Sequence, residues 1–253
     1  PDYHGSEFVG DYFKEREYMS GFTGSAGTLV VLKDKAALWT DGRYFIQAEE
    51  QLRGSSIELM RSGEKGVCDI STFLLNNLKY GETIGFDGRC VSSVFAENLC
   101  KWAADKGINI ESNINLVEEI WTDRPKLSDR PVWELGNEYT GMEVMEKLSL
   151  VRQKIKASGG EVLVLSSLDD IAWLLNLRGD DIKYNPVFLS YMIIYENKSY
   201  LYANKNIFSD KIVIKLADAG VEIRPYNDIY DSLAKIEENK SRIVAMSFCE
   251  PRS

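Results

Sequence analysis

The order of predicted secondary-structure elements is the feature that most constrains this chain, because the order in its first half recurs in its second. Each half contains two strands joined as a hairpin, followed by a helix, a strand, a helix and a strand. In the first half these segments are 27–33 with 35–40, 43–52, 57–61, 69–79 and 83–86. In the second half they are 187–195 with 199–203, 209–219, 221–224, 228–238 and 242–247. We therefore predict two copies of one α/β unit, each a mixed sheet flanked by helices.

The segments before and after the repeated order differ between the two copies. The difference predicts that secondary-structure elements are missing at the ends of the chain. A helix at 141–157, a strand at 161–165 and a helix at 168–175 precede the second hairpin, whereas a single helix at about 6–19 precedes the first. We therefore expect a strand to be missing before Pro1. The first copy continues with a helix, a strand and a helix at 92–106, 108–111 and 115–121. Because the second copy has no counterpart of these segments, we expect both ends of the chain to be trimmed.

The domain limits follow from length and composition. A chain of 253 residues is long enough for two domains, at roughly 150 residues per domain. The segment between the two copies contains Pro125, Pro131 and several charges but no apolar periodicity. We therefore predict a first domain at 1–124, a linker at 125–136 and a second domain at 137–253.

Charge and hydropathy exclude several classes of partner. The net charge is −9, with no basic run, so we expect no nucleic-acid partner. The longest apolar stretches, such as 160–165 and 187–195, are far shorter than the roughly 20 residues that a bilayer requires, so we expect no membrane partner. The chain shows no signal-peptide pattern and no CxxC spacing among Cys68, Cys90, Cys100 and Cys249. Free thiols and a cytoplasmic location are therefore expected.

Histidine is scarce, which excludes many catalytic sites. The single histidine, His4, rules out HExxH and multi-histidine metal sites and leaves no secure Ser–His–Asp triad. Asp169 and Asp170 begin a predicted helix, where carboxylates interact favourably with the positive end of the helix dipole. A site for a hard cation is the alternative interpretation of these acids. We expect no catalytic residue and no metal ligand in this segment.

The glycine cluster GFTGSAG, residues 21–27, does not match a phosphate-binding loop. A dinucleotide-binding fingerprint follows a strand and opens a helix, whereas this cluster follows a helix and opens a strand. It is not a nucleophile elbow either, because Thr23 stands two residues before Ser25 where that motif has glycine. We predict a tight turn that places a helix against a sheet.

The segment WTDGRYF places Asp41 and Arg43 where a predicted strand ends and a helix capped by Asp41 begins. Such a position presents side chains to a crevice. Two interpretations of Arg43 stay open: it pairs with Asp41 or a backbone carbonyl for structural reasons, or it binds a ligand. The polar loop 174–188 carries Arg178 and Asp181, for which loop stabilisation and function are likewise both open.

Six segments, in order along the chain, closely resemble the cytosolic, three-domain Xaa-Pro aminopeptidase (aminopeptidase P) family. They are HGSEF, GFTGSAG, ALWTDGRYFIQAEEQL, EEIWTDRP, LDDIAWLLNLRG and DIKYNPVFLSY. The resemblance implies two creatinase-type amino-terminal domains of ribonuclease H-like α/β topology. It also implies that the catalytic "pita-bread" domain of that family is absent from this segment.

The resemblance implies a parent enzyme that removes the amino-terminal residue preceding proline by metal-activated attack of water. That enzyme is expected to bind two divalent ions, manganese being the expected metal, in its own catalytic domain, and to form a homodimer. Arg43 corresponds to the family's WTDGR arginine, which reaches the substrate site, with Asp41 and His4 as supporting residues. Phe8 departs from the tyrosine of the family's HxSEY pattern, so no role of that hydroxyl carries over.

Two other classes of function stay open at this stage. One is a catalytically inactive interaction module that reuses the same domains. The other is an independent α/β protein that binds small molecules. The intact WTDGRYF and NLRGDDIKYNP segments favour the peptidase.

Overall fold

The apolar runs on either side of Asp34 form the predicted hairpin in this computed structural model, which describes residues 1–238 and 243–246. The chain divides into two units. The first comprises 1–3 and 7–126, and the second comprises 4–6 and the residues from 127 onward. The limits of the domains and of the linker, as given above, stay a prediction.

The first unit contains a three-stranded sheet and a separate two-stranded ribbon. Its helices and strands are α1 (Glu15–Ser20), β1 (Thr28–Val31), β2 (Ala36–Thr40), α2 (Phe45–Gln51), β3 (Ile57–Arg61), α3 (Ile70–Asn77), β4 (Thr83–Gly85), α4 (Ser93–Lys106) and β5 (Asn109–Glu111). The strand β2 pairs antiparallel with β1 and parallel with β3, and β4 pairs parallel with β5.

Both faces of the three-stranded sheet are covered by side chains. Alternate residues of β2 point to opposite sides of the sheet. Leu38 packs with Phe22 and with Ala48 of α2, and on the other side Trp39 packs with Phe73 of α3. The connection from β2 through α2 to β3 thus buries one face, and the helix after β3 buries the other.

The second unit contains a five-stranded sheet in the order β11–β10–β9–β7–β12. Its helices and strands are β6 (Trp133–Glu134), α5 (Asn137–Thr140), α6 (Val144–Ala157), β7 (Val162–Leu165), α7 (Leu168–Leu174), β8 (Leu177–Arg178), β9 (Ser190–Tyr195), β10 (Ser199–Ala203), α8 (Asp210–Asp218), β11 (Val221–Arg224), α9 (Ile229–Glu238) and β12 (Ile243–Met246). The strand β9 lies antiparallel to β10 and to β7, while β10 with β11 and β7 with β12 are parallel.

The predicted α/β class, with sheets flanked by helices, is confirmed. The hairpin, helix, strand, helix, strand order occurs in both units. The sheets differ, because β12 joins the main sheet of the second unit through β7, whereas β4 pairs only with β5 among the strands of the first unit that the structure describes. Part of the predicted strand 242–247 lies outside the described residues.

Two local predictions are wrong. No helix forms over 115–121: the Asn115 side chain accepts the backbone N–H groups of Val117 and Glu118, as an N-cap does, but the segment continues only as turns. The helix predicted at 6–19 is reduced to α1 and a short 3₁₀ turn before it. The segment 125–136 contains the short strand β6, which pairs with β8.

Two further observations bear on chemistry. Cys68 and Cys90 are partly buried free thiols, Cys100 is exposed, and Cys249 lies outside the described residues. Within the residues that the structure describes, no helix has both the length and the apolar character needed to span a bilayer.

Candidate functional site

The site predicted around WTDGRYF lies at the carboxyl end of β2. Asp41 is the first residue after the strand, and the N–H of Tyr44 donates to its carbonyl oxygen at 3.0 Å. This turn delays the helix, so α2 begins at Phe45 and Asp41 does not cap it. The Oδ1 atom of Asp41 instead accepts the N–H of Arg43 at 3.0 Å. The prediction that Asp41 caps the helix is therefore wrong.

The Arg43 guanidinium is held by two carboxylates. Its Nε and Nη2 atoms donate to Oδ1 and Oδ2 of Asp41, both at 3.0 Å, which is a bidentate pair. Its Nη1 atom donates to Oε1 of Glu7 at 3.1 Å. The guanidinium carbon also lies 5.2 Å from the centre of the Tyr44 ring, within range of a cation–π interaction. The structure therefore brings Asp41 and Arg43 together, as predicted, and adds Glu7.

A hydrogen-bond chain links Glu7 to Tyr44 through Ser25. The Ser25 hydroxyl donates to Oε1 of Glu7 at 2.9 Å and lies 2.7 Å from the Tyr44 hydroxyl. Because a serine hydroxyl has a single proton, the Tyr44 hydroxyl must donate to Ser25. Glu7, Ser25 and Tyr44 belong to the HGSEF, GFTGSAG and WTDGRYF segments respectively. We refer to Glu7, Ser25, Asp41, Arg43 and Tyr44 as the Arg43 cluster.

Sequence reasoning missed Glu7, Ser25 and Tyr44. All three lie inside segments that were already distinguished by their composition. Their convergence depends on the turn after α1, which brings Ser25 beside α2, and no spacing along the sequence encodes that contact.

The charges of the cluster stabilise one another. Hydrogen bonds from Arg43 lower the pKa of the Asp41 carboxyl, and those from Ser25 and then Arg43 lower the pKa of the Glu7 carboxyl. The two carboxylates in turn raise the pKa of Arg43, with Asp41 contributing more. All three groups are therefore ionised at neutral pH, and together they carry one net negative charge.

The Arg43 side chain remains 59% exposed despite these contacts. Its contacts with Asp41 and Glu7 use three of the five N–H groups of a guanidinium. Two N–H groups therefore have no partner within the part of the chain that the structure describes. A fixed guanidinium with spare, solvent-facing donors can bind a carbonyl or carboxylate oxygen of a ligand.

The glycine cluster positions Ser25, and at Gly24 and Gly27 it has no room for a Cβ atom. Gly21 ends α1 in the left-handed region, with φ of 71°. Arg16 donates to the carbonyl oxygen of Gly27 at 2.6 Å and to that of Gly24. A Cβ atom at Gly24 would overlap the Phe22 ring. These contacts confirm the prediction of a tight turn between a helix and a sheet.

A cavity of about 410 Å³ opens beside the cluster in the first unit. Thr40, Asp41, Ser62 and Asp69 contribute polar groups to its wall, with Trp39 as an apolar side. It lies where the parallel strands β2 and β3 end, a common position for ligand sites in α/β sheets.

His4 belongs to the second unit and is buried there. Its Nδ1 atom lies 3.0 Å from the carbonyl oxygen of Ser166, and its Nε2 atom lies 2.7 Å from the Tyr226 hydroxyl. Because a carbonyl only accepts, Nδ1 carries the proton and Nε2 accepts from Tyr226. These contacts give His4 a structural role in the second unit. Its support of Arg43 stays a prediction.

The loop 174–188 uses its charged residues for its own stability. Arg178 donates to the carbonyl oxygens of Ala172 and Leu177, both at 2.8 Å. Asp181 accepts the N–H of Leu189 at 2.7 Å.

Among residues 1–238 and 243–246, no three His, Cys, Asp or Glu side chains are grouped to hold a metal ion. The described residues therefore do not fit the di-metal centre expected for the parent enzyme.

Comparison with known proteins identifies the family. Residues 12–119 match the family described as "Creatinase/Prolidase N-terminal domain", and residues 123–250 match a second family of the same description. Aminopeptidase P2 of Arabidopsis thaliana is 44% identical over 239 residues, which are 92% of this chain and 34% of that protein. Xaa-Pro aminopeptidase 1 of Dictyostelium discoideum is 36% identical, over 100% of this chain and 41% of its own length.

A solved structure shares the architecture. The crystal structure of X-prolyl aminopeptidase from Caenorhabditis elegans, described as a cytosolic enzyme with a di-nuclear active site, matches with a TM-score of 0.88 and 34% identity. The match covers 96% of this chain and 40% of that one. The chain thus spans only about a third to two fifths of the length of these relatives. It belongs to the creatinase/prolidase N-terminal domain family and contains two such domains.

Proposed function

We propose that this chain is the non-catalytic amino-terminal region of a metal-dependent Xaa-Pro aminopeptidase. That enzyme releases the amino-terminal residue of peptides that have proline in second position. The observation that carries this proposal is the similarity to aminopeptidase P over 92% of the chain at 44% identity. Because the described residues offer no metal site, the two divalent ions, with manganese as the expected metal, are assigned to the rest of the enzyme.

The proposed contribution of this region is architecture and substrate binding. Arg43 is held by two carboxylates, is exposed and has two spare N–H groups, so it is suited to bind a carbonyl or carboxylate of the peptide. Asp41 and Glu7 keep the guanidinium oriented. The proposal further includes a cytoplasmic location, contact with the enzyme's own catalytic domain and a homodimeric enzyme.

Hydrolysis by the full-length protein tests the proposal. Release of the first residue is measured from an Xaa-Pro peptide and from the matched Xaa-Ala peptide, with and without a chelator. We expect chelator-sensitive cleavage of the Xaa-Pro peptide alone, and none with the 253-residue chain at the same concentration.

Two results would contradict the proposal. A folded, metal-loaded full-length protein that cleaves neither peptide would favour the inactive interaction module. Chelator-sensitive turnover by the 253-residue chain would show that this region is itself catalytic.

A further inference from the structure

The cavity beside the Arg43 cluster combines an apolar wall with a size suited to a ligand. Its volume of about 410 Å³ falls within the roughly 300–1,000 Å³ of typical small-molecule sites. Trp39, Val67 and Ile70 line it with apolar surface. The Nε1 atom of Trp39 donates to the carbonyl oxygen of Cys68 at 2.8 Å. This contact joins the strand β2 to the segment before α3, and both contribute to the wall of the cavity.

The charged side chains in this wall are both acidic, among the described residues that line the cavity. They are Asp41 at the end of β2 and Asp69 just before α3, and the other polar side chains are hydroxyls and a thiol. Hydrogen bonds from Arg43 lower the pKa of Asp41, and those from Thr72 lower the pKa of Asp69, so both carboxyls are ionised at neutral pH. Their charge disfavours an anionic ligand and favours a cationic one.

The two carboxylates differ in how they are already used. Both oxygens of Asp41 accept hydrogen bonds from Arg43, whose charge also balances that of Asp41. Asp69 caps α3 through Oδ1, which accepts the N–H of Thr72 at 2.6 Å. Because a carboxylate has about four acceptor sites, this cap leaves Asp69 able to accept from an ammonium or guanidinium group. Asp69 is therefore the counter-ion that the cavity offers to a cation.

We propose that this cavity binds the side chain of a lysine or arginine of the substrate peptide. Such side chains pack their methylene groups on apolar surface and keep the charged end near polar groups, which suits an apolar wall beside Asp69. Asp41 contacts Arg43 and also lines the cavity, so a peptide bound by Arg43 has a neighbouring side chain within reach of it. The inference rests on the proposed function and adds a substrate class, namely Xaa-Pro peptides with a basic residue after the proline.

Paired peptides test the inference with the full-length protein. Both members of a pair are Xaa-Pro peptides that differ at one position after the proline, where one has lysine and the other glutamine. Four pairs place this residue third, fourth, fifth or sixth in the peptide. At one position we expect kcat/KM to be about 3- to 10-fold higher for lysine, since a solvent-accessible ion pair contributes modestly. A ratio near one at every position would overturn the inference.

Substitution of Asp69 locates the preference within the structure. Asp69→Asn and Asp69→Ser remove the charge, and both retain a residue that caps helices well. Asp34→Asn is the matched control, because Asp34 precedes β2 at the opposite end of the strand and is not among the residues that line the cavity. We expect the lysine-to-glutamine ratio to fall toward one in both Asp69 variants and to persist in Asp34→Asn. An unchanged ratio in the Asp69 variants, or an equal loss in Asp34→Asn, would contradict the site.

The same assays separate failure of this inference from failure of the proposed function. If Arg43→Ala lowers kcat/KM for both members of every pair but lysine is not preferred at any position, Arg43 binds substrate and the cavity does not bind a basic side chain. If the folded, metal-loaded full-length protein cleaves none of the peptides, the proposed function is wrong and the inference that rests on it fails as well.

Discussion

Arg43 is held by groups from separate parts of the sequence. Asp41 lies two residues away, and its pairing with Arg43 could be predicted because the strand–turn–helix pattern places both residues in one turn. Glu7 lies far from Arg43 in sequence, and only the folded first unit brings its carboxylate to 3.1 Å from the guanidinium. Local partners can therefore be read from the sequence, whereas partners set by tertiary packing cannot.

Titration of the carboxylates tests this geometry at the scale of single residues. Because Arg43 lowers the pKa of Asp41 and of Glu7, both contacts are present above those pKa values and are lost as the pH falls through them. In Arg43→Ala, we expect the pKa of Asp41 to rise toward its usual range. Glu7 should rise less, because Ser25 still donates to it. Carboxyl-carbon NMR as a function of pH measures both.

Asp69 is the matched control for this titration. Its pKa is lowered by hydrogen bonds from Thr72 at the start of α3, not by an arginine. It should therefore titrate identically in the parental and Arg43→Ala proteins. An Asp41 pKa that does not move in Arg43→Ala would show that the bidentate pair is absent in solution.

At the scale of elements, the turn between α1 and β1 determines where Ser25 lies. Gly27 is required there because a Cβ atom would lie 2.8 Å from the carbonyl oxygen of Trp39. Gly42, in the neighbouring turn, has no such contact, since its Cβ would lie 3.8 Å from the Phe45 ring. Gly42 can therefore serve as the control position for a substitution at Gly27.

Gly27→Ala is expected to destabilise the chain by about 1–3 kcal/mol, because the backbone must shift to admit the methyl group. The corresponding drop in Tm is several degrees. Gly42→Ala is expected to leave the Tm nearly unchanged. Thermal unfolding followed by circular dichroism measures both, and equal Tm values for the two variants would contradict the close approach at Gly27.

Elements with long apolar periodicity could be predicted, and short elements could not. The helix α4 was predicted to within one residue because it has a serine cap and a regular apolar face. The segment 115–121 has a comparable side-chain cap at Asn115, but it is too short to show a regular apolar face, and it forms only turns. The strands β6 and β8 were missed because two-residue strands have no detectable period.

At the scale of the whole molecule, the repeat of two α/β units was evident from element order, but the sheet connections were not. Element order does not state which strand pairs with which, and the separation of β4 from β1 became visible only in the pairing. The site was anticipated at Asp41 and Arg43, whereas the surrounding Glu7, Ser25 and Tyr44 required the fold. This arrangement supports the proposed role of Arg43 in substrate binding.

The kinetics of Arg43→Ala test this role of Arg43. They are measured on the full-length protein with an Xaa-Pro peptide, together with the Tm of the same preparation. Both ion pairs of Arg43 are exposed and contribute little stability, so the Tm should change by no more than about 3 °C. Loss of a charge-assisted hydrogen bond to the substrate should lower kcat/KM about 10- to 150-fold. Arg43→Lys should restore only part of the activity, because an ammonium cannot reproduce the planar fork. Parental kcat/KM in a folded Arg43→Ala protein would contradict the claim and leave Arg43 a structural residue.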